Sequence, residues 1–163
     1  QVLFSTQKVP LEQMGQFYSM ADVTINISDA EGFGLATLES LSCGTPIIAN
    51  MTGGLQEQVV GPEGENGVAI FPSSKAVIGS QNVPYIYEDR ISKESFIAAL
   101  DKMYFIDEKV RRDLGKQGRR HVQDNYSFEN FEKQWIETML QVHEEHGSWP
   151  TKNYSSIVFK EVA

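Results

Sequence analysis

Two glutamates bracket a glycine-rich turn in the first quarter of the chain. Glu31 immediately precedes the tripeptide Gly32-Phe33-Gly34, and Glu39 follows it inside an apolar stretch. The glycines let a ligand approach the backbone closely, and free amides at the start of a helix favour an anion. Carboxylates accept hydrogen bonds from hydroxyl groups. The pattern therefore suits a ligand that carries both hydroxyls and phosphate.

Strand and helix signals alternate around this turn. The order β-α-β-α-β-α-β predicts an α/β fold, a mostly parallel sheet with helices on both faces. The turn then lies at the carboxyl end of a parallel strand, where open α/β sheets bind ligands. The predicted elements are a strand over 1–5, a helix over 10–21, a strand over 22–28, a helix over 34–43 ended by Gly44, a strand over 45–50, a brief helix after Gly53-Gly54 and a strand over 67–71.

The helical winding of residues 34–43 places Glu39 inside the apolar arc, with Thr37 and Ser40 opposite. A carboxylate buried there costs several kcal/mol unless it is paired or hydrogen-bonded. Its partner is either a set of ligand hydroxyls or a structural group such as an arginine or backbone amides. For Glu31, the alternative to a ligand contact is a solvated acid stabilised by the helix dipole.

The remainder of the chain is an irregular excursion followed by a helical last third. Residues 72–90 are rich in Gly, Pro and Ser and predict one extra short strand or hairpin over 84–88. Ser92 and Ser127 are predicted helix caps, with a polar helix near 107–124 between them. We expect one domain over 1–146 and an irregular tail over 147–163. The apolar stripe of the final helix, predicted to be ordinary core, is Phe128, Phe131, Trp135, Met139 and Val142.

Composition narrows the function classes. The formal net charge of −8 argues against neutralising a nucleic-acid backbone or lying on anionic lipid, so we expect no nucleic-acid partner and no need for a membrane. One cysteine, Cys43, allows no internal disulfide, and no apolar run is long enough for a spanning helix. These features predict a cytoplasmic protein. Because the sequence opens on Gln1 directly into strand-like residues, we expect it to be part of a longer protein.

Residues 31–59, EGFGLATLESLSCGTPIIANMTGGLQEQV, resemble the nucleotide-sugar signature of GT-B glycosyltransferases of the family 4 type. In that signature Glu-x7-Glu straddles a Gly-Phe-Gly-Leu loop and is followed by Cys/Ala-Gly-Thr-Pro. Both glutamates, the loop, the 43–46 turn and Gly53-Gly54 match it. A weaker likeness extends over residues 1 to about 143. It implies a Rossmann-like sheet that is part of the C-terminal, donor-binding domain.

The resemblance also implies roles for individual residues. Glu39 would accept hydrogen bonds from the ribose of a nucleoside diphosphate sugar, and Glu31 would act as the catalytic carboxylate beside the transferred sugar. Amides of Gly32, Phe33, Gly34 and Leu35 would hold the sugar and diphosphate. The family retains the anomeric configuration and needs no metal or other cofactor, since dipoles and basic side chains stabilise the leaving group.

In that family a basic clamp and an N-terminal domain that binds a carbohydrate or other hydroxyl acceptor precede this segment. We therefore expect the chain alone to be an inactive part of a hexosyltransferase-like enzyme. The alternative is a non-catalytic remnant that binds a nucleotide or a protein partner. A dinucleotide-binding fold is excluded because Thr37 occupies the third glycine position. Asp29-Ala30-Glu31 superficially resembles a metal-binding triplet, but the helix start that follows fits the metal-free pattern.

Overall fold

A three-stranded parallel sheet in the order β1-β2-β5 forms the centre of the first compact unit, Gln1–Ser127. The computed structural model describes residues 1–62 and 64–147. The sheet strands are Thr24–Asn26 (β1), Ile47–Asn50 (β2) and Gly67–Ile70 (β5), and the antiparallel pairs are Val60–Gly61 (β3) with Gly64–Glu65 (β4) and Ser74–Ile78 (β6) with Ile86–Arg90 (β7). The helices are Leu11–Met20 (α1), Leu35–Ser42 (α2), Leu55–Val59 (α3), Lys93–Phe105 (α4), Glu108–Tyr126 (α5) and Phe128–His146 (α6).

Helices cover both faces of the sheet, as the sequence predicts. Every residue of β2 is buried, which is typical of a parallel strand between two layers. Ile47 and Ala49 pack with Leu41 of α2 on one face. Ile48 packs on the other face with Ala99 and Met103 of α4. The α/β architecture and the helical last third are thus confirmed for the residues described.

The predicted burial of α2 was wrong. Leu38 and Leu41 are buried, but so are Thr37 and Ser40, whereas Glu39 is exposed. The two hydroxyl residues face the sheet because their polar atoms find partners there: Ser40 Oγ lies 2.6 Å from Thr24 Oγ1, and Thr37 Oγ1 accepts from Asn26 Nδ2 at 3.2 Å. Burying a small hydroxyl costs little free energy when it is hydrogen-bonded. A prediction from hydrophobicity alone therefore assigns the wrong face of this helix to the core.

The first predicted strand does not form. Residues 1–10 contain no helix or strand, and Val2, Leu3 and Phe4 are 78 to 90% exposed. A strand is stable only when it pairs with a neighbour, and β1 pairs with β2 alone among the described residues. The excursion does contain a hairpin, β6–β7, which begins well before the predicted 84–88.

The final helix α6 belongs to the second unit, which begins at Phe128. Its predicted role as core was wrong, since none of its residues is buried. Phe131 and Trp135 meet each other edge to face at 6.1 Å, yet each is more than half exposed. Residues 148–163, most of the predicted tail, lie outside the described residues.

Candidate functional site

The Gly-Phe-Gly turn is a left-handed entry into α2. Gly34 has φ +92° and occupies the N-cap position, and no side chain caps the helix. At that φ a residue with a side chain is strained, and a Cβ would lie 2.5 Å from Leu55 Cδ2. Phe33 and Leu35 on either side are 52% and 67% exposed. The Thr37 amide donates to the Gly34 carbonyl at 3.1 Å, whereas the Leu35 and Ala36 amides have no acceptor among the described residues.

Two further glycines, Gly53 and Gly54, press against the back of this turn. The Gly54 amide donates to the Gly32 carbonyl at 3.0 Å. A Cβ on Gly54 would lie 2.5 Å from the Phe33 carbonyl oxygen, and one on Gly53 would collide with the Glu31 carbonyl. The close approach fixes the turn from behind, and it is the structural reason for the paired glycines.

Glu39 is held by a tyrosine that the sequence analysis did not single out. Tyr18 of α1 donates its hydroxyl proton to Glu39 Oε2 at 2.8 Å. Burial, followed by this hydrogen bond and the carboxylate charge, raises the pKa of Tyr18 to about 12. Residues 18–22 have the pattern Tyr-x-x-Ala-Asp, which ends the corresponding helix in the family that residues 31–59 resemble, and this pattern was the available signal for Tyr18. Neither the arginine nor the backbone partner considered for Glu39 is present among the described residues.

A cleft of about 360 Å³ lies beside Glu39, between α1 and α2. Its lining is mostly apolar, with the Glu39 carboxylate as a charged group on its wall. Such a combination of apolar walls and few polar groups is typical of a small-molecule site. The lining includes Leu11, Met14, Tyr18, Leu35, Leu38 and Glu39.

Glu31 lies on the other side of the turn and is half-buried. Its carboxylate makes no hydrogen bond or ion pair with another described residue. The adjoining Asp29 is tied to the β6–β7 hairpin, because its carbonyl accepts from the Asp89 amide at 2.8 Å and its carboxylate pairs with Arg90. Arg90 also bonds Glu88 at 2.7 Å. The hairpin thus anchors the loop after β1 that carries Glu31, a connection that the sequence did not reveal.

Within residues 1–62 and 64–147, no three His, Cys, Asp or Glu side chains are grouped so that they could hold a metal ion. Asp29, the first residue of the superficial metal triplet, is committed to Arg90. In the same part of the chain, no helix has the length and apolar character needed to cross a membrane.

A family model for glycosyl transferases group 1 matches residues 1–121. The chain belongs to this family. That assignment confirms the resemblance carried by residues 31–59 and places the bracketed turn within a known group of proteins. The site residues lie inside the matched range.

Individual proteins that are similar to this chain agree with the family assignment. D-inositol 3-phosphate glycosyltransferase of Corynebacterium urealyticum is 30% identical over 128 residues, 78% of this chain and 25% of the relative. The enzyme of the same name from Acidothermus cellulolyticus is 44% identical over 62 residues, 38% and 13% of the two chains. MMP alpha-(1->4)-mannosyltransferase of Mycolicibacterium hassiacum is 28% identical over 125 residues, 77% and 26%.

The fold comparison points the same way. Sucrose-phosphate synthase from Thermosynechococcus elongatus, a GT-B glycosyltransferase, superposes with a TM-score of 0.63 and 29% identity, covering 85% of this chain and 29% of that one. The predicted GT-B class is therefore confirmed. The chain spans about a quarter or less of the length of the curated relatives compared above.

Proposed function

We propose that this chain is the donor-binding part of a retaining glycosyltransferase. It binds a nucleoside diphosphate sugar, and the sugar passes to a carbohydrate or other hydroxyl acceptor held by a domain N-terminal to this segment. The observation that carries the proposal is the placing of two glutamates, Glu31 and Glu39, on either side of an uncapped helix start. Hydroxyl-binding groups flank an anion-binding one, which is the order of chemical groups along such a donor.

The position of each residue supports a division of labour. Glu39 stands beside the apolar cleft, so its carboxylate would accept from ribose hydroxyls while the base occupies the cleft. Gly32, Phe33, Gly34 and Leu35 would offer their amides to the diphosphate and the sugar. Glu31 has no protein partner among the described residues, so its carboxylate is free for hydroxyls of the transferred sugar.

In the transfer step, the bond between C1 of the sugar and the diphosphate oxygen breaks, and its electron pair leaves with the diphosphate. The acceptor oxygen bonds to C1 on the same face and passes its proton to the departing diphosphate oxygen. Positive charge develops on the sugar ring, where the Glu31 carboxylate would stabilise it. The amides and the dipole of α2 would stabilise negative charge on the leaving diphosphate, and the proposal needs no metal or other cofactor.

The relatives support this reading because their names describe glycosyl and mannosyl transfer. The segment is only part of their length, and in the proposed enzyme the acceptor is bound outside it. A cytoplasmic location stays a prediction. The second candidate, a non-catalytic module that binds a nucleotide or a protein partner, is favoured by one observation, the exposed apolar face of α6.

Donor cleavage by the full-length protein separates the two candidates. Uridine, guanosine and adenosine diphosphate glucose and mannose would each be incubated with it, with water as the acceptor, and the anomeric proton of the released sugar followed by NMR within minutes. The proposal expects cleavage of at least one donor, with the first-formed sugar in the donor's anomeric configuration. Binding without cleavage favours the non-catalytic module, and an inverted product contradicts retention.

A further inference from the structure

Gln58 is a fully buried side-chain amide in the short helix α3, whose other buried residues, Leu55 and Val59, are apolar. Its Nε2 donates to the carbonyl oxygen of Phe33, in the middle of the Gly-Phe-Gly turn. We propose that Gln58 is a positioning residue, which turns the amides of this turn toward the donor. The inference rests on the proposed function of the site and adds the residue that orients its anion-binding groups.

Three successive carbonyls of the turn face α3 and the loop before it. The Glu31 carbonyl lies against Gly53, so closely that no side chain fits there. The Gly32 carbonyl accepts from the Gly54 amide at 3.0 Å, and the Phe33 carbonyl accepts from Gln58. Gln58 is thus the one side chain in a set of contacts otherwise made by backbone.

The orientation of the amides follows from the planarity of the peptide bond. In a trans peptide the carbonyl and the N–H of the next residue point in opposite directions. The described chain has no cis peptide bonds. Carbonyls directed at α3 therefore direct the amides of Gly32, Phe33 and Gly34 away from it. None of these three amides donates to another described residue, so they are available to an oxygen anion on the outer side of the turn.

The buried amide carries a cost that packing does not explain. Gln58 Oε1 is buried and has no hydrogen-bond partner among the described residues. An unpaired buried acceptor is destabilising, and leucine would fill nearly the same volume without one. A residue present only for packing would be expected to be apolar here. The retained amide is consistent with selection for the single contact that it makes, the one to Phe33.

Nucleotide affinity in the full-length protein tests the idea first. Uridine, guanosine and adenosine diphosphate would be titrated calorimetrically into wild type, Gln58→Leu and Gln56→Leu, a matched change on the exposed side of the same helix. We expect Gln58→Leu to weaken binding about tenfold or more, the effect of one misdirected charge-assisted hydrogen bond, with an unfolding temperature unchanged or higher. Gln56→Leu should bind as wild type does. Equal affinity for the two variants would overturn the proposal.

The variant Gln58→Glu gives a second test that does not depend on the leucine variant folding. A protonated carboxyl can donate to the Phe33 carbonyl, whereas an ionised one cannot. Burial disfavours ionisation, so the loss of the contact should begin above the usual range for glutamate. We expect affinity close to wild type at low pH and at least about tenfold weaker once the introduced carboxyl ionises. A ratio to wild type that is constant with pH would contradict the role.

Dividing the affinity of Gln58→Glu by that of wild type at each pH removes the contributions that neighbouring ionisable groups make to the pH dependence, because both proteins contain those groups. These are Glu31 on the turn, Glu39 on α2, Glu57 on α3 itself, and His121 and Tyr126 on α5, of which His121 contacts the Glu57 carbonyl at 3.1 Å.

Amide NMR without any ligand separates the failure of this inference from the failure of the proposed function. In Gln58→Glu, the Phe33 and Gly34 amide signals should shift with pH relative to wild type, because the peptide between them loses its anchor. If wild type binds none of the three nucleotides but these signals shift, the proposed function fails and the positioning contact stands. If the nucleotides bind and the signals do not shift, Gln58 does not orient the turn.

Discussion

At the scale of single residues, the contact between Tyr18 and Glu39 is open to direct titration. The raised pKa of about 12 means that Tyr18 keeps its proton well above the ordinary value of 10.0, with burial the largest cause and Glu39 next. Because the folded pKa lies above the unfolded one, the stability this group contributes is complete below pH 10 and is lost as pH rises through 12. Tyrosinate absorbance of wild type minus Tyr18→Phe should show a midpoint near 12.

The variant Glu39→Gln tests, in the same titration, how much the Glu39 carboxylate contributes to the raised pKa of Tyr18. Removing the carboxylate charge should lower the midpoint for Tyr18 without returning it to 10.0, since burial remains. A Tyr18 that titrates at about 10 in wild type would show that the contact does not persist in solution.

The residue scale also shows how far sequence reasoning reached. The two glutamates and the glycines of the turn were identifiable because their spacing matches a signature and each has a simple chemical role. Gln58 and Arg90 were not, because each acts through a partner distant in the chain, Phe33 and Asp29 respectively. Tyr18 lies in a recognisable motif, but its distant partner Glu39 was not evident from the sequence. Contacts of that kind depend on how helices pack, which periodicity does not specify.

At the scale of elements, α5 is held close to the segment after α2 by a glycine. A Cβ at Gly115 would collide with the Gly44 carbonyl and lie 3.4 Å from Pro46 Cδ, whereas one at Gly118 would lie 2.6 Å from Leu41 Cδ2, the end of a side chain. Alanine gains about 1 kcal/mol over glycine in a helix. We expect Gly115→Ala to be destabilising by about 1 to 3 kcal/mol all the same, since backbone cannot move aside cheaply.

Urea unfolding of wild type, Gly115→Ala and Gly118→Ala measures the change in the free energy of unfolding. Gly118→Ala serves as the comparison, because the same helix gains the same residue against a more adaptable neighbour. The close packing of α5 on the segment after α2 is contradicted if Gly115→Ala is as stable as wild type or more stable than Gly118→Ala.

Most elements were predictable because their signals are local. Ser92 caps α4 by accepting from the Ser95 amide at 3.0 Å, and Gly44 ends α2 with φ +77°. The strand over 1–5 was not, since a strand depends on a neighbour rather than on its own composition. The prediction of which face of α2 is buried failed for a related reason, since Thr37 and Ser40 have hydrogen-bond partners on the sheet.

At the scale of the whole molecule, the chain should bind a donor and not transfer it. Transfer requires an acceptor held beside the sugar, and holding two reactants together contributes up to about 7 to 11 kcal/mol in favourable cases. We expect the 163-residue chain to bind a nucleoside diphosphate but to form no glycoside when incubated with the donor and acceptor that the full-length protein uses. Product formation at the full-length rate would show that the chain is a complete enzyme.

The central claim is that Glu31 and Glu39 hold the two ends of one donor, and calorimetry beside steady-state kinetics on the full-length protein tests it most directly. Glu39→Ala should weaken nucleoside diphosphate and nucleotide sugar alike, by about 1.5 to 3 kcal/mol. Glu31→Gln should leave diphosphate affinity nearly unchanged and lower kcat, because its interaction strengthens in the transition state. Glu94→Ala, an exposed acid on α4, is the matched control and should change neither. The account is contradicted if Glu31→Gln weakens diphosphate binding as much as Glu39→Ala, or if Glu39→Ala leaves that binding intact.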